Sequence, residues 1–267
     1  MSTRTMTFVL AAALGGAVST YAADTYEQLN DDVRFTLNLM RHGDRQVHDL
    51  QGAPPAFDQD WIRVHTRSLH SYEARVTGHF WDLGCVTAGC PRLARVDGAG
   101  TVLTPGTSTA DDVPDAPVFF SLGQTVRWFA DGVDTAEFLR VTGDQSAPLG
   151  TQPYTVVFRD TTLLVPRWNS SGTQTTVVVL QNPQPVPVTG YVDFYNGLGV
   201  LVQGISFTIA PNGVHVMSTA AFPALAGLSG SAKVSHDAGF GGITGKAVAL
   251  EPATGFTFDT VIAPIPY

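Results

Sequence analysis

Apolar and polar residues alternate with period two along most of this chain, and helical periodicity is nearly absent. In Ile62-Arg63-Val64-His65-Thr66 the even positions face one way and Arg63 and His65 the other. Tyr72, Ala74 and Val76 repeat the pattern on the next segment. A strand needs this alternation when one face of its sheet is buried and the other is wet. Asp97-Gly98 and Asp131-Gly132 supply turn signals between segments. The stretch Thr104 to Asp112 reads as an exposed loop, and Ala220 to Leu225 as one helical turn.

A second series begins near Leu164. Strands are predicted at 175–180, 191–195, 205–209, 214–217, 231–235, 246–250 and 255–258, with Asn196-Gly197 and Pro211-Asn212-Gly213 as turns. About seven strands in roughly 100 residues match an immunoglobulin-like sandwich. Charged side chains are sparse in this stretch, and Thr161 to Pro166 enters it without a linker. The predicted fold class is therefore all-β, with two tandem β-sandwich domains over 23–163 and 164–267.

The first 22 residues read as a secretory signal peptide. Arg4 is the positive end, Phe8 to Leu14 begins the apolar run, and Thr20-Tyr21-Ala22 places small residues for cleavage after Ala22. That run is too short to span a bilayer, which takes roughly 20 residues. The expected localisation is secreted, periplasmic or cell-surface. A net charge of −8 argues against nucleic acid and anionic lipid as partners. Charged residues are only 14% of the chain, which favours a packed β protein over a disordered one. Cys85 and Cys90 enclose Val-Thr-Ala-Gly. Export favours a disulfide between them, holding a small loop by about 2 kcal/mol. Two thiols alone lack the four ligands of structural zinc.

Four segments carry a family resemblance: Asp58-Gln59-Asp60-Trp61-Ile62-Arg63-Val64, Ser71-Tyr72-Glu73-Ala74-Arg75-Val76, Phe138-Leu139-Arg140-Val141-Thr142-Gly143 and Gln152-Pro153-Tyr154-Thr155-Val156-Val157-Phe158. Together they resemble the bacterial pre-peptidase C-terminal domain over roughly residues 29–162. The resemblance implies a jelly-roll-like sandwich similar to collagen-binding modules. It also implies calcium at an Asn-Asp stretch on the domain's N-terminal edge, where Asn30 and Asp31 match and Asp32 follows. Asp58, Asp60, Asp111 and Asp112 would supplement the oxygen set that calcium requires. Tyr26 and Gln28 stand where relatives carry glutamates, so a solvated acidic turn is the competing reading. The second unit is similar to tails of exported bacterial proteins of unknown role.

Arg41-His42-Gly43-Asp44-Arg45 looks like the signature of histidine acid phosphatases, in which the His takes the phosphoryl group between two Arg. His236-Asp237 would be the proton-donor pair. The strand–helix alternation of that family's core is missing, so the expected reading is a polar hairpin or loop after a strand at Phe35 to Leu39. His65 and His70 flank a corner and are expected to face solvent. Trp61, Trp81, Trp128 and Trp168 are expected in core or rim. Trp61, out of phase with Ile62 and Val64, is the candidate ligand contact.

The expected function is a non-catalytic binding or surface-interaction module, with no cofactor beyond calcium and an extracellular protein or polysaccharide as partner. A structural component assembled through strand edges is the alternative, and a phosphatase-like enzyme a remote one.

Overall fold

The computed structural model describes residue 26 and residues 36–50, 52–53, 56–57, 59–78, 92–109, 123–130, 135–142 and 153–266. The expected leader, Asn30, Asp31, Asp32, Asp58, Trp81, the Cys85–Cys90 pair, Asp111 and Asp112 lie outside them. The fold is all-β, and no α-helix occurs among the described residues. No helix there is long and apolar enough to cross a membrane.

The N-terminal half contributes β1 (Leu39–Met40), β2 (Arg45–Asp49), β3 (Gly52–Ala53), β4 (Ala56–Phe57), β5 (Gln59–Thr66), β6 (Ser71–Gly78), β7 (Arg92–Val96), β8 (Val102–Pro105), β9 (Thr107–Thr109), β10 (Gly123–Phe129), β11 (Thr135–Thr142) and β12 (Pro153–Asp160). They form two five-stranded sheets, ordered β1-β5-β11-β7-β8 and β2-β12-β6-β10-β9, with β3 and β4 as a separate pair. Ile62, Val64, Leu139 and Val141 from the first sheet meet Tyr72, Ala74, Tyr154 and Phe158 from the second in one buried core. The alternation selects that face: Arg63 and His65 are exposed between buried neighbours.

The stretch expected as an exposed loop is not one where it is described. β8 pairs β7 in one sheet and β9 pairs β10 in the other, so the chain changes sheets at Gly106. A Cβ there would lie 2.4 Å from the Leu93 carbonyl oxygen, so only glycine allows the crossing. Leu39–Met40 is likewise shorter than the strand expected from Phe35, because β1 has only two register partners on β5.

The C-terminal half contributes β13 (Leu163–Asn169), β14 (Thr175–Gln181), β15 (Val188–Asn196), β16 (Leu201–Ile209), β17 (Val214–Ser218), β18 (Ser229–His236), β19 (Thr244–Glu251), β20 (Phe256–Val261) and β21 (Ala263–Pro264). Their sheets run β16-β15-β18-β13-β21 and β17-β14-β19-β20. A second core forms between them around Trp168, Phe194, Val192, Leu180 and Val234. The β13–β18 register shifts between Val165 and Trp168, where Pro166 cannot donate to the ladder. The expected helical turn is two 3-10 turns, Thr219–Ala221 and Pro223–Leu225, the first capped by the Ser218 side chain.

Candidate functional site

Only Thr161 and Thr162 separate β12 from β13, so the halves meet at short range. Buried polar groups join them. Thr161 donates from its backbone to the Ser71 carbonyl (2.8 Å) and from Oγ1 to Ser71 Oγ (2.8 Å). Ser71 N–H donates to Thr162 Oγ1 (3.0 Å), and His236 N–H donates to Ser71 Oγ (3.1 Å). Phe129 packs edge-on against Tyr191 across the same boundary.

His70 sits at the centre of the junction, only 2% exposed. A carboxylate only accepts and an ammonium only donates, so its two contacts set the tautomer. Nδ1–H donates to Asp160 Oδ2 (2.7 Å), and Nε2 accepts from Lys233 Nζ (2.8 Å). The second oxygen of Asp160 accepts from Thr162 N–H (3.0 Å). The expectation of a solvent-facing His70 is thereby corrected, since the C-terminal half covers this corner. His65, its neighbour in that expectation, is exposed.

His236 is also buried, and burial pushes its pKa down to about 4 despite the Asp237 carboxylate and the backbone of Thr161 and Ala238, which favour the charged form. Its ordinary value is 6.5, so between 6.5 and about 4 the unfolded chain binds a proton that the folded chain refuses. Stability therefore falls as pH drops through that window, by about 3 kcal/mol in total. Urea titrations at pH 7 and pH 4.5 check this. The parent should lose at least 1 kcal/mol more stability than His236→Phe between those values, and equal losses would refute the assignment.

The phosphatase-like residues are distributed differently from a phosphoryl-transfer site. Arg41 N–H donates to Asp44 Oδ2 (2.6 Å), and Gly43 takes a positive φ of 88°. The segment is thus a tight turn carrying the chain from β1 in one sheet to β2 in the other. Arg41 and Arg45 are exposed. His42 Nδ1 accepts from Asp160 N–H (2.8 Å), and Nε2–H donates to the Ile265 carbonyl (3.2 Å). Both nitrogens are engaged, which leaves no lone pair for attack on phosphorus. The Asp237 oxygens accept from Thr189 N–H (2.8 Å) and Oγ1–H (2.6 Å).

Two other expected residues lie within the N-terminal half. Asp60 is fully buried; its Oδ2 accepts from the Tyr154 hydroxyl, and His48 Nδ1 is 3.9 Å from Oδ1. It faces the core. Trp61 does lie on the opposite face from Ile62, yet it is only 6% exposed. Arg140 covers its ring at 5.5 Å, and Gly100 closes over it, so the ring is not open to a ligand. Trp128 and Trp168 are core residues. No group of three or more His, Cys, Asp or Glu suited to a metal occurs among the described residues.

Beside the junction the halves leave a cleft of about 390 Å³. One wall is the outer face of β6, β10 and β12. The alternation that sends Tyr72, Ala74 and Phe158 inward sends Glu73, Arg75, Arg127 and Arg159 outward. Register places Arg127 and Arg159 directly opposite Glu73 on either side. Arg127 Nε donates to Glu73 Oε2 (2.7 Å). The other wall is the Gly239-Phe240-Gly241-Gly242 turn with Gln184 and Val186. Arg159 lies 4.8 Å from the Phe240 ring centre. A Cβ on Gly239 would come 2.7 Å from Glu73 Oε2 and 2.8 Å from Arg127 Nη2, so glycine is what lets this turn close on the ion pair. Sequence reading missed the cleft, because its walls are assembled from five separate segments between Glu73 and Gly242.

No protein-family model matches this chain. No curated protein matches it either. Among solved structures it is similar to the β-glucuronidase of Bacteroides uniformis at 10% identity and a TM-score of 0.21, covering 83% of this chain and 32% of that one. Bacteroides uniformis β-glucuronidase 2, covalently bound to cyclophellitol-6-carboxylate aziridine, gives 10% identity, a TM-score of 0.20 and the same coverage. Neither superposition bears on fold or activity.

Proposed function

We propose that this chain is an exported, non-catalytic protein of two tandem β-sandwich domains, jelly-roll-like over 23–163 and immunoglobulin-like over 164–267, that serves as a binding or surface-interaction module. The cleft between the halves carries this reading. It is preformed, it is lined by convergent polar side chains, and the polar network beside it holds its two walls together; ligand sites favour such places between domains. The engaged nitrogens of His42 support a turn in place of a nucleophile, and the separate cores support two domains. The partner fitting an exported module is an extracellular protein or polysaccharide.

Two measurements test it. Purified protein should not hydrolyse an aryl phosphate at acid pH, and His42→Ala should leave the blank rate unchanged. Labelled protein should be retained saturably by the envelope fraction of its own host. Val186→Trp should abolish that retention, because Val186 is 58% exposed at the cleft and its replacement blocks the opening sterically without touching a core. Turnover lost in His42→Ala, or no retention at all, would sink the module reading.

A second reading, assembly through a sheet edge, has one observation in its favour. β20 is an edge strand that leaves Phe256, Phe258 and Val261 at 66%, 70% and 73% exposure. Self-association abolished by Phe258→Lys would favour it over the cleft.

A further inference from the structure

We infer that the cleft between the halves binds a ligand through an oxyanion group, a carboxylate, sulfate or phosphoryl, held by Arg75, Arg127 and Arg159. This rests on the binding-module reading and specifies the ligand's chemical class.

The whole chain carries −8, with 15 basic residues against 23 acidic ones. Three arginines on neighbouring strands nevertheless line one cleft, against two carboxylates, Glu73 and Asp237. Both carboxylates are already engaged. Glu73 takes Arg127 Nε and sits under Gly239, while Asp237 accepts twice from Thr189. Neither is therefore available to bind a cation in the cleft. The guanidinium N–H groups that these contacts leave on Arg127 and Arg159 form the centre of the donor set, with Arg75 beside them.

Guanidinium groups present paired donors that match the paired oxygens of carboxylate, sulfate and phosphate. Arg127 is fixed at Nε by Glu73, and its side chain is still 40% exposed, so further N–H groups stay open to a ligand. Arg159 rests over the Phe240 ring at 4.8 Å from its centre, a contact that consumes no N–H. Arg75 lies two residues along β6 from Glu73, on the same face and half-buried. Side chains pinned before binding lose little entropy on meeting a ligand. The partly enclosed walls strengthen the attraction over its value in open water.

Gly239 brings no side chain to the ion pair it faces, and the cleft keeps room beside the arginines for a group larger than a chloride ion. A cleft of about 390 Å³ suits a small ligand or one residue of a longer anionic chain.

Isothermal titration at constant ionic strength, with chloride replaced stepwise, uses inorganic sulfate, inorganic phosphate and acetate as separate probes. The full chain should bind at least one of them saturably at a single site. Arg159→Gln, which leaves the Glu73–Arg127 pair intact, should weaken binding at least tenfold. Arg75→Gln should do the same and stands in should Arg159→Gln lower stability. Arg63→Gln, exposed on the other sheet, should change nothing. The preferred probe separates carboxylate from sulfate and phosphoryl ligands. No saturable binding by the parent, or equal binding by Arg159→Gln and Arg75→Gln, overturns the inference. Envelope retention that persists while none of the three anions binds or competes also overturns it, and leaves the module reading standing.

Discussion

Trp168→Ala should unfold with about 4 kcal/mol less stability than the parent chain. Trp168 is completely buried in the C-terminal core and packs edge-on against Phe194, with ring centres 5.5 Å apart. Its Nε1–H is shared between the Tyr195 carbonyl (3.0 Å) and the Ser231 carbonyl (2.9 Å). Truncation to alanine leaves a cavity of indole size on β13, at the end of the irregular Val165–Trp168 step. The neighbouring strands are held by ladders on both sides, so the walls collapse only partly. The two carbonyls also lose their donor, which adds a desolvation cost. Trp168→Phe keeps most of the volume and should lose about half as much. Urea denaturation followed by far-UV circular dichroism measures both. A loss under about 1 kcal/mol for the alanine variant would show that the indole is not the keystone of this core.

Asp160→Ala should cost about 3 kcal/mol, more than an average hydrogen-bond deletion. The reason is what it leaves behind. His70 Nδ1–H and Thr162 N–H both lose their acceptor in a place from which water is excluded. Lys233 remains bonded to the far side of the ring, so the cluster keeps its positive charge and loses one of the two carboxylates near it, with Asp193 the other. The deficit therefore spreads across the junction, because His70 and Lys233 belong to different halves. A double-mutant cycle with Lys233→Met isolates this coupling. The double variant should be more stable than the sum of the single losses implies, by at least about 1 kcal/mol. Strict additivity would mean that Asp160 acts on the N-terminal half alone.

The strands were legible because a period-two pattern is a local property. Ile62 and Val64 faced inward and Arg63 and His65 outward as the alternation required, since a pleated strand has no other way to place successive side chains. Trp128 and Trp168 proved to be core residues on the same logic. Errors came where a contact was made by distant chain. Thr107 to Thr109 has few apolar residues, yet it is a strand because β10 offers it an open ladder. His70 looked like a corner residue bound for solvent and is instead buried by a half of the protein that begins ninety positions later. Trp61 occupied the outer face as its phase demanded, but Arg140 from β11 roofed it over.

The sequence by itself determined the all-β class and the inward faces of β5 and β6, because each depends on residues within a few positions of one another. Only the tertiary structure decided the junction and the cleft. Glu73, Arg127 and Arg159 form a row through strand register, and their opposite wall is a glycine-rich turn from the other half. Register and docking depend on which distant surfaces find complementary shape and charge. No local pattern encodes that pairing, so the candidate site became visible only when the two halves were seen packed together.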